Sequence, residues 1–265
     1  KWSDAKWMYD KSKELNFPFM AGSSLPVTWR DPVLVHEIGT EIDEALAIGY
    51  GHNEAYGFHA LEMLQCMLER RKGGETGIAR VKGMHGNQVW DDGGIHWPND
   101  LAEVVCDNIH SAKEGSMEDN CADPALFSID YIDGTKGFVL MLGGEGEHVR
   151  DFGYGARVDG KIEKTEFFLQ PHDERPFSGP FCHFSYYGLS IQDFFLSGQA
   201  QVPVERTLQT TGVLAAALQS RGGSQGWIST PHLRRSYDLL PDVKWRPTGI
   251  RPKGLSLEYW PAVME

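Results

Sequence analysis

The sequence predicts an α+β protein: a mostly antiparallel open sheet with helices on one face. Three observations lead there. Two pairs of β-rich runs flank Asp-Gly turns: Leu126–Ile132 and Lys136–Leu142 around Asp133-Gly134, and Val149–Val158 and Lys161–Leu169 around Asp159-Gly160. Strands joined hairpin by hairpin make an antiparallel meander rather than a strand–helix–strand array. Two helical segments follow, Phe184–Leu196 and Val204–Gln219, the second with Pro203 just before its first turn. Earlier, a strand-like run, Ala45–Tyr50, turns through glycines into an amphipathic helix on which Leu61, Leu64, Met67 and Leu68 share a side.

The remaining elements follow in order. Ala5, Met8, Ser12 and Leu15 ride one helix, and Phe17–Ala21 reads as a short buried strand leaving into a Gly-Ser turn. The helix after Ala45–Tyr50 ends near Arg71-Lys72-Gly73-Gly74, and Ile78–Met84 alternates as a strand. The stretch GNQVWDDGGIHWPND reads as a loop, Asp100 to Ile109 as a helix, and Ser111 to Pro124 as a polar loop. From Asp238 the tail holds four prolines and two tryptophans, Trp245 and Trp260, so an extended segment wrapping the surface is expected. Its aromatics Trp245, Tyr259 and Trp260 should pack onto the protein rather than stand in water.

With 265 residues, 41% of them hydrophobic, the chain buries a sizeable core and is not a disordered segment. Thirty-seven acidic residues against 25 basic ones give a net charge of −12, which disfavours a nucleic-acid partner. No apolar run approaches the roughly 18 residues of a membrane span, and Lys1 to Lys13 is charged rather than signal-like, so no membrane partner is expected. Cys66, Cys106, Cys121 and Cys182 show no C-x-x-C spacing, which argues against a zinc knuckle and fits free thiols in a cytoplasmic location. The first residue is lysine, so a processed, truncated or partly sequenced chain is expected.

The chemistry-bearing candidates centre on His59 and Glu62, three residues apart on one face of a helix start. A polar pair above a buried stripe holds an acid/base group rigidly over a cleft. Spacing alone also accommodates a capping or solvated histidine. Asp92-x-x-x-His96 is a rival pair, set in a loop; His183, in GPFCHFSYYG, heads an aromatic helix and reaches either a cleft or the core. His36, His52 and His59 with Glu62 lack H-x-x-x-H or H-E-x-x-H spacing, so no metal site is expected. Gly22, Ser23 and Ser24 follow a strand-like run, yet neither G-x-x-x-x-G-K-[ST] nor G-x-G-x-x-G occurs, and locally they read as a turn.

Two segments carry a family likeness. The opening helix and strand, followed by Gly22, Arg30 and Pro32, and the later Gly57-Phe58-His59-x-x-Glu62 together resemble the glucose–fructose oxidoreductase / inositol dehydrogenase / MocA family. The first segment is similar to the last helix and strand of that family's Rossmann-type nucleotide domain, and the second to the segment with its catalytic histidine. Ala55 stands where the family has an aspartate, Glu62 replaces a second aspartate, and the gap from Pro32 to His59 is shorter than the family's. The resemblance implies residues 1–32 as a nucleotide-domain remnant, 33–240 as an α+β substrate and oligomerisation domain, and 241–265 as a C-terminal tail. It implies an oxidoreductase acting on a sugar or polyol with NAD or NADP, in which His59 moves the hydroxyl proton and Glu62 holds substrate or orients the ring. Gly22, Ser23, Trp29 and Arg30 would lie on the cofactor side and His183 on the substrate side; a homo-oligomer is the assembly expected. The dinucleotide fingerprint and the family's catalytic lysine are not in these residues. A non-catalytic carbohydrate-binding or scaffold protein, and a redox-neutral lyase or isomerase, therefore stay open beside the dehydrogenase.

Overall fold

The computed structural model describes residues 1–143, 147–169, 182–223, 226–240 and 243–248. The chain runs α1 (Trp2–Glu14), β1 (Trp29–Asp31), β2 (Ile42–Gly49), α2 (Tyr56–Leu68), β3 (Ile78–His85), α3 (Asn87–Asp91), α4 (Asn99–Cys106) and α5 (Met117–Asn120). It continues with β4 (Ala125–Tyr131), β5 (Lys136–Met141), β6 (Phe152–Val158), β7 (Lys161–Phe168), α6 (Cys182–Ser197), α7 (Val204–Gly222) and β8 (Ile228–Ser229). The strands form one sheet in the order β1-β7-β6-β2-β5-β4-β3-β8. The α+β class and the mostly antiparallel open sheet are as the sequence predicts.

Both Asp-Gly turns close hairpins, β4 with β5 and β6 with β7, each antiparallel. The four strands are not a continuous meander, however. β2 lies between the hairpins, parallel to β5 and antiparallel to β6. The reason is its burial. Ala45, Leu46, Ala47 and Ile48 are all fully buried, Ala45 and Ala47 in one core and Leu46 and Ile48 in the other. A strand covered on both faces belongs at the centre of a sheet.

The two cores lie on opposite faces. α2 and α7 pack their apolar stripes on the first, through Leu61, Leu64, Val213 and Leu214. The expected helix layer is therefore present, and α4 adds a second layer, laying Leu101 and Val105 on the opposite face. Two short helices interrupt segments expected as loops: α3 follows Gly86, and α5 is capped where Ser116 Oγ accepts Asp119 N–H at 3.0 Å.

Phe17–Ala21 is not a strand: it pairs with nothing in the sheet, and Phe17 is half-exposed. Pro18 offers no backbone N–H to a ladder. The edge strand forms later, at Trp29–Asp31, against Glu166–Phe168. Of the tail aromatics, Trp245 carries the Lys244 ammonium over its ring at 4.6 Å, while Tyr259 and Trp260 lie outside the described residues.

One close approach sets how α7 seats on the sheet. Gly83 of β3 donates its N–H to Ser220 Oγ at 3.0 Å, and a Cβ at that position would stand 2.2 Å from the Ala217 carbonyl oxygen. The obstacle is helix backbone, which cannot swing aside. Gly83→Ala should therefore cost about 1–3 kcal/mol as an overpacked contact, read as a lower Tm in thermal unfolding; an unchanged Tm would show that α7 does not sit this close.

Candidate active site

β2 ends at Gly49, the chain turns, and α2 starts at Tyr56, so His59 and Glu62 occupy the first two turns of a helix whose far side is core. The loop leaving α1 comes back across this helix start. Ser23 Oγ and His59 Nδ1 are 2.7 Å apart, and Ser23 Oγ also accepts Leu25 N–H at 3.1 Å. The His59 ring is half-buried, with the rings of Tyr56 and Phe58 edge-on at 6.2 and 5.5 Å. Burial pushes its pKa below the ordinary histidine value, which favours the neutral imidazole near pH 7.

Glu62 points elsewhere. Its carboxylate is buried and accepts Thr210 Oγ1–H at 2.6 Å, while Thr207 Oγ1 donates to the Ala21 carbonyl at 2.9 Å. Gly22 closes this junction at φ +151°, and a Cβ on it would stand 3.2 Å from both Glu62 Oε2 and Thr207 Oγ1. Only a glycine both adopts that backbone and leaves the space. Tyr187 Oη, from α6, donates to the Gly22 carbonyl at 3.4 Å. Burial raises the Glu62 pKa, against the opposing pull of Arg206 and the Thr210 hydrogen bond. Burial, then the nearby Glu62 charge, raises that of Tyr187. Arg206 itself is committed to Glu69 in a buried bidentate pair, at 2.9 and 2.6 Å.

The structure thus brings Gly22, Ser23, His59 and Glu62 together. Trp29 lies beside α6, its ring edge-on to Tyr186 at 5.9 Å. Arg30 is 4% exposed: its guanidinium lies over Phe167 at 4.7 Å and donates to the Leu34 carbonyl at 2.8 Å. The physical reason is strand alternation, because the middle residue of β1 faces inward. His183 begins α6, and its side chain lies outside the described residues. Asp92 and His96 do pair, Oδ1 to Nδ1 at 2.6 Å, within a loop over the opposite face of the sheet. Among the described residues no three His, Cys, Asp or Glu side chains group to hold a metal. Sequence reading missed Tyr187, Thr207 and Thr210. The two threonines, three apart at the start of a mainly apolar helix, were the available signal.

A nicotinamide dinucleotide needs a glycine turn opening a helix under its pyrophosphate. The strand-to-helix turn after β2 has glycines, but its own chain fills it. The Tyr56 ring lies 3.1 Å from where a Gly51 Cβ would stand, and a Cβ on Gly143 would fall 2.0 Å from Gly51 N. This turn offers no cradle for the dinucleotide's pyrophosphate.

No family model and no curated protein matches the sequence. Solved structures match by shape. One is an oxidoreductase from Agrobacterium radiobacter in complex with NAD+, L-tartaric acid and magnesium, at TM-score 0.50 and 13% identity, covering 86% of this chain and 70% of that one. Others are myo-inositol 2-dehydrogenase from Lactobacillus plantarum (TM-score 0.44, 12%, covering 72% and 57%) and the WlbA dehydrogenase from Bordetella pertussis in complex with NADH and UDP-GlcNAcA (0.45, 12%, 87% and 69%). At such identities the likeness is one of fold, and the fold is the one the glucose–fructose oxidoreductase / inositol dehydrogenase / MocA resemblance implies. The chain spans just over half the length of the inositol dehydrogenase it matches.

The raised Glu62 pKa has a testable sign. A carboxyl that binds its proton more tightly when folded contributes stability that is full below the unfolded value, about 4.3, and lost as pH rises through the folded value. Glu62→Gln removes the charge and keeps an acceptor for Thr210, so its Tm at pH 8 should equal or exceed that of the wild type. Glu62→Ala, which strands the Thr210 hydroxyl, should lose about 1–3 kcal/mol. Denaturation at pH 5 and pH 8 checks both; a glutamine variant clearly weaker at pH 8 would contradict the assignment.

Proposed function

We propose that this chain is the substrate-side part of an oxidoreductase acting on a sugar or polyol, with His59 as its acid/base residue. The observation that carries the reading is the 2.7 Å contact of Ser23 with His59, beside the Gly22–Glu62 junction. Two segments that the sequence separates by 36 residues, each picked out for its own motif, meet at one helix start.

The chemistry these residues support is proton transfer at a hydroxyl or carbonyl oxygen. Burial keeps the ring neutral, and a neutral imidazole has one bare ring nitrogen that can take a proton and one N–H that can hydrogen-bond a substrate oxygen. Glu62 does not take part in that exchange. Buried against Thr210 and Gly22, it fixes the helix turn that aims the ring. Tyr187, with its hydroxyl on the Gly22 carbonyl, holds the loop from the α6 side.

The redox partner in this reading is a nicotinamide cofactor, NAD or NADP. The Agrobacterium radiobacter and Bordetella pertussis proteins were crystallised with NAD+ and NADH. Because the glycine turn after β2 offers no cradle for a dinucleotide, the mechanism here is confined to the proton and the substrate oxygen. A polyol-binding protein without redox chemistry is the second reading. The glycine turn closed by Tyr56 and Gly143 favours it.

One experiment separates them. The protein is titrated by calorimetry with inositols, aldoses and sugar acids, and turnover is followed by nicotinamide absorbance. The oxidoreductase reading expects binding by this chain and, in an enzyme that also carries a dinucleotide-binding part, turnover whose kcat His59→Asn lowers roughly 10²–10⁴-fold without moving Tm. Binding with no turnover in that complete enzyme selects the second reading, and the absence of both binding and turnover overturns both.

A further inference from the structure

Ser23 is 6% exposed, and its oxygen already accepts the Leu25 N–H. A hydroxyl has one proton to give, and a buried polar group left without a partner costs about 1–3 kcal/mol. Among the described residues, His59 Nδ1 is the acceptor within reach of that proton. One arrangement satisfies all three groups. Leu25 N–H donates to Ser23 Oγ, and Ser23 Oγ–H donates to the bare Nδ1. In the reverse arrangement Nδ1–H and Leu25 N–H both donate to the same oxygen, and the serine proton has no acceptor among the described residues.

We propose that Ser23 is a positioning residue that fixes His59 in the Nε2–H tautomer, so that the resting ring offers a hydrogen-bond donor to a ligand oxygen. The depressed pKa of His59, caused by burial, keeps the ring neutral, as a tautomer preference requires. The consequence is a choice of ligand. An Nε2–H donor suits a carbonyl oxygen, as in a keto sugar or an oxidised polyol. A hydroxyl is received only as an acceptor, and it finds no lone pair for its own proton until the Ser23 hydroxyl turns away and the tautomer switches. The consequence for ligands rests on the reading of His59 as the residue facing substrate; the tautomer itself rests on the Ser23 geometry alone.

Long-range proton–nitrogen correlation spectra of the full chain, labelled with ¹⁵N-histidine, test this without any assay of activity. The His59 signals are identified by their loss in His59→Asn. The wild type should show the neutral Nε2–H pattern at pH 7.5. Ser23→Ala should shift the pattern toward a mixture of tautomers, and Ser23→Thr, which keeps a hydroxyl, should restore it. An Nδ1–H pattern in the wild type overturns the proposal, as does a spectrum that Ser23→Ala leaves unchanged. Where the alanine variant proves unstable, Ser23→Cys and Ser23→Gly supply the comparison, and an Nδ1–H pattern in the wild type overturns the proposal by itself. An Nε2–H tautomer together with silent kinetics in His59→Asn would overturn the acid/base reading while leaving the tautomer assignment standing.

Discussion

Glu62 is a carboxyl group removed from water, and the geometry around His59 follows from how the chain satisfies it. A buried carboxyl must find its hydrogen bonds within the protein. Thr210 supplies one, from α7, and the Gly22 backbone closes on the other side. That closure requires the loop after α1 to cross the start of α2 at one register. The next residue of the loop, Ser23, then lands on the His59 ring. A single desolvated group therefore orders three segments, and the acid/base candidate is placed as a result.

The same rule extends inward from α2. Glu69, two turns further on, takes both arms of Arg206 and the hydroxyl of Tyr237. Gln65 accepts from Tyr131 Oη and donates to Tyr237 Oη, and Gln209 donates to Glu75. Arg71 lies over the Tyr131 ring and reaches both Glu75 and Asp133. These residues join α2 to α7, to the first hairpin turn and to the segment after β8. Removing one partner of a buried ion pair costs about 3–5 kcal/mol, since the other is left uncompensated. A network of this kind gives little net stability over an apolar core, but it allows one arrangement of α2, and a proton-transfer group needs that rigidity.

On the other side of the sheet α4 completes the burial of β2, which explains why the central strand is apolar on both faces. The Asp92–His96 pair belongs to that second layer. It resembled the His59 segment in residue types alone. Its imidazole is largely exposed and hydrogen-bonded within its own loop to Asp92.

Much of this protein was legible in its residues. Alternation and Asp-Gly turns determined the two hairpins, and helical spacing determined α1, α2, α6 and α7, because these signals arise within a few neighbouring residues. Gly22, Ser23, His59 and Glu62 were singled out by their resemblance to the family's segments, while local spacing alone left Gly22 and Ser23 as a turn and His59 as an acid/base or a capping residue. The sequence could not place β2 between the hairpins, nor turn Arg30 inward beneath the edge strand, since both depend on which surfaces the rest of the chain covers. Nor could it show that Glu62 would face Thr210 while the imidazole faced Ser23. Residues three apart share a helix face, but partners from residues 21–23 and α7 decided which way each side chain turned. Those partners arrive only when distant segments pack, and so the tertiary structure alone made the histidine a positioned group.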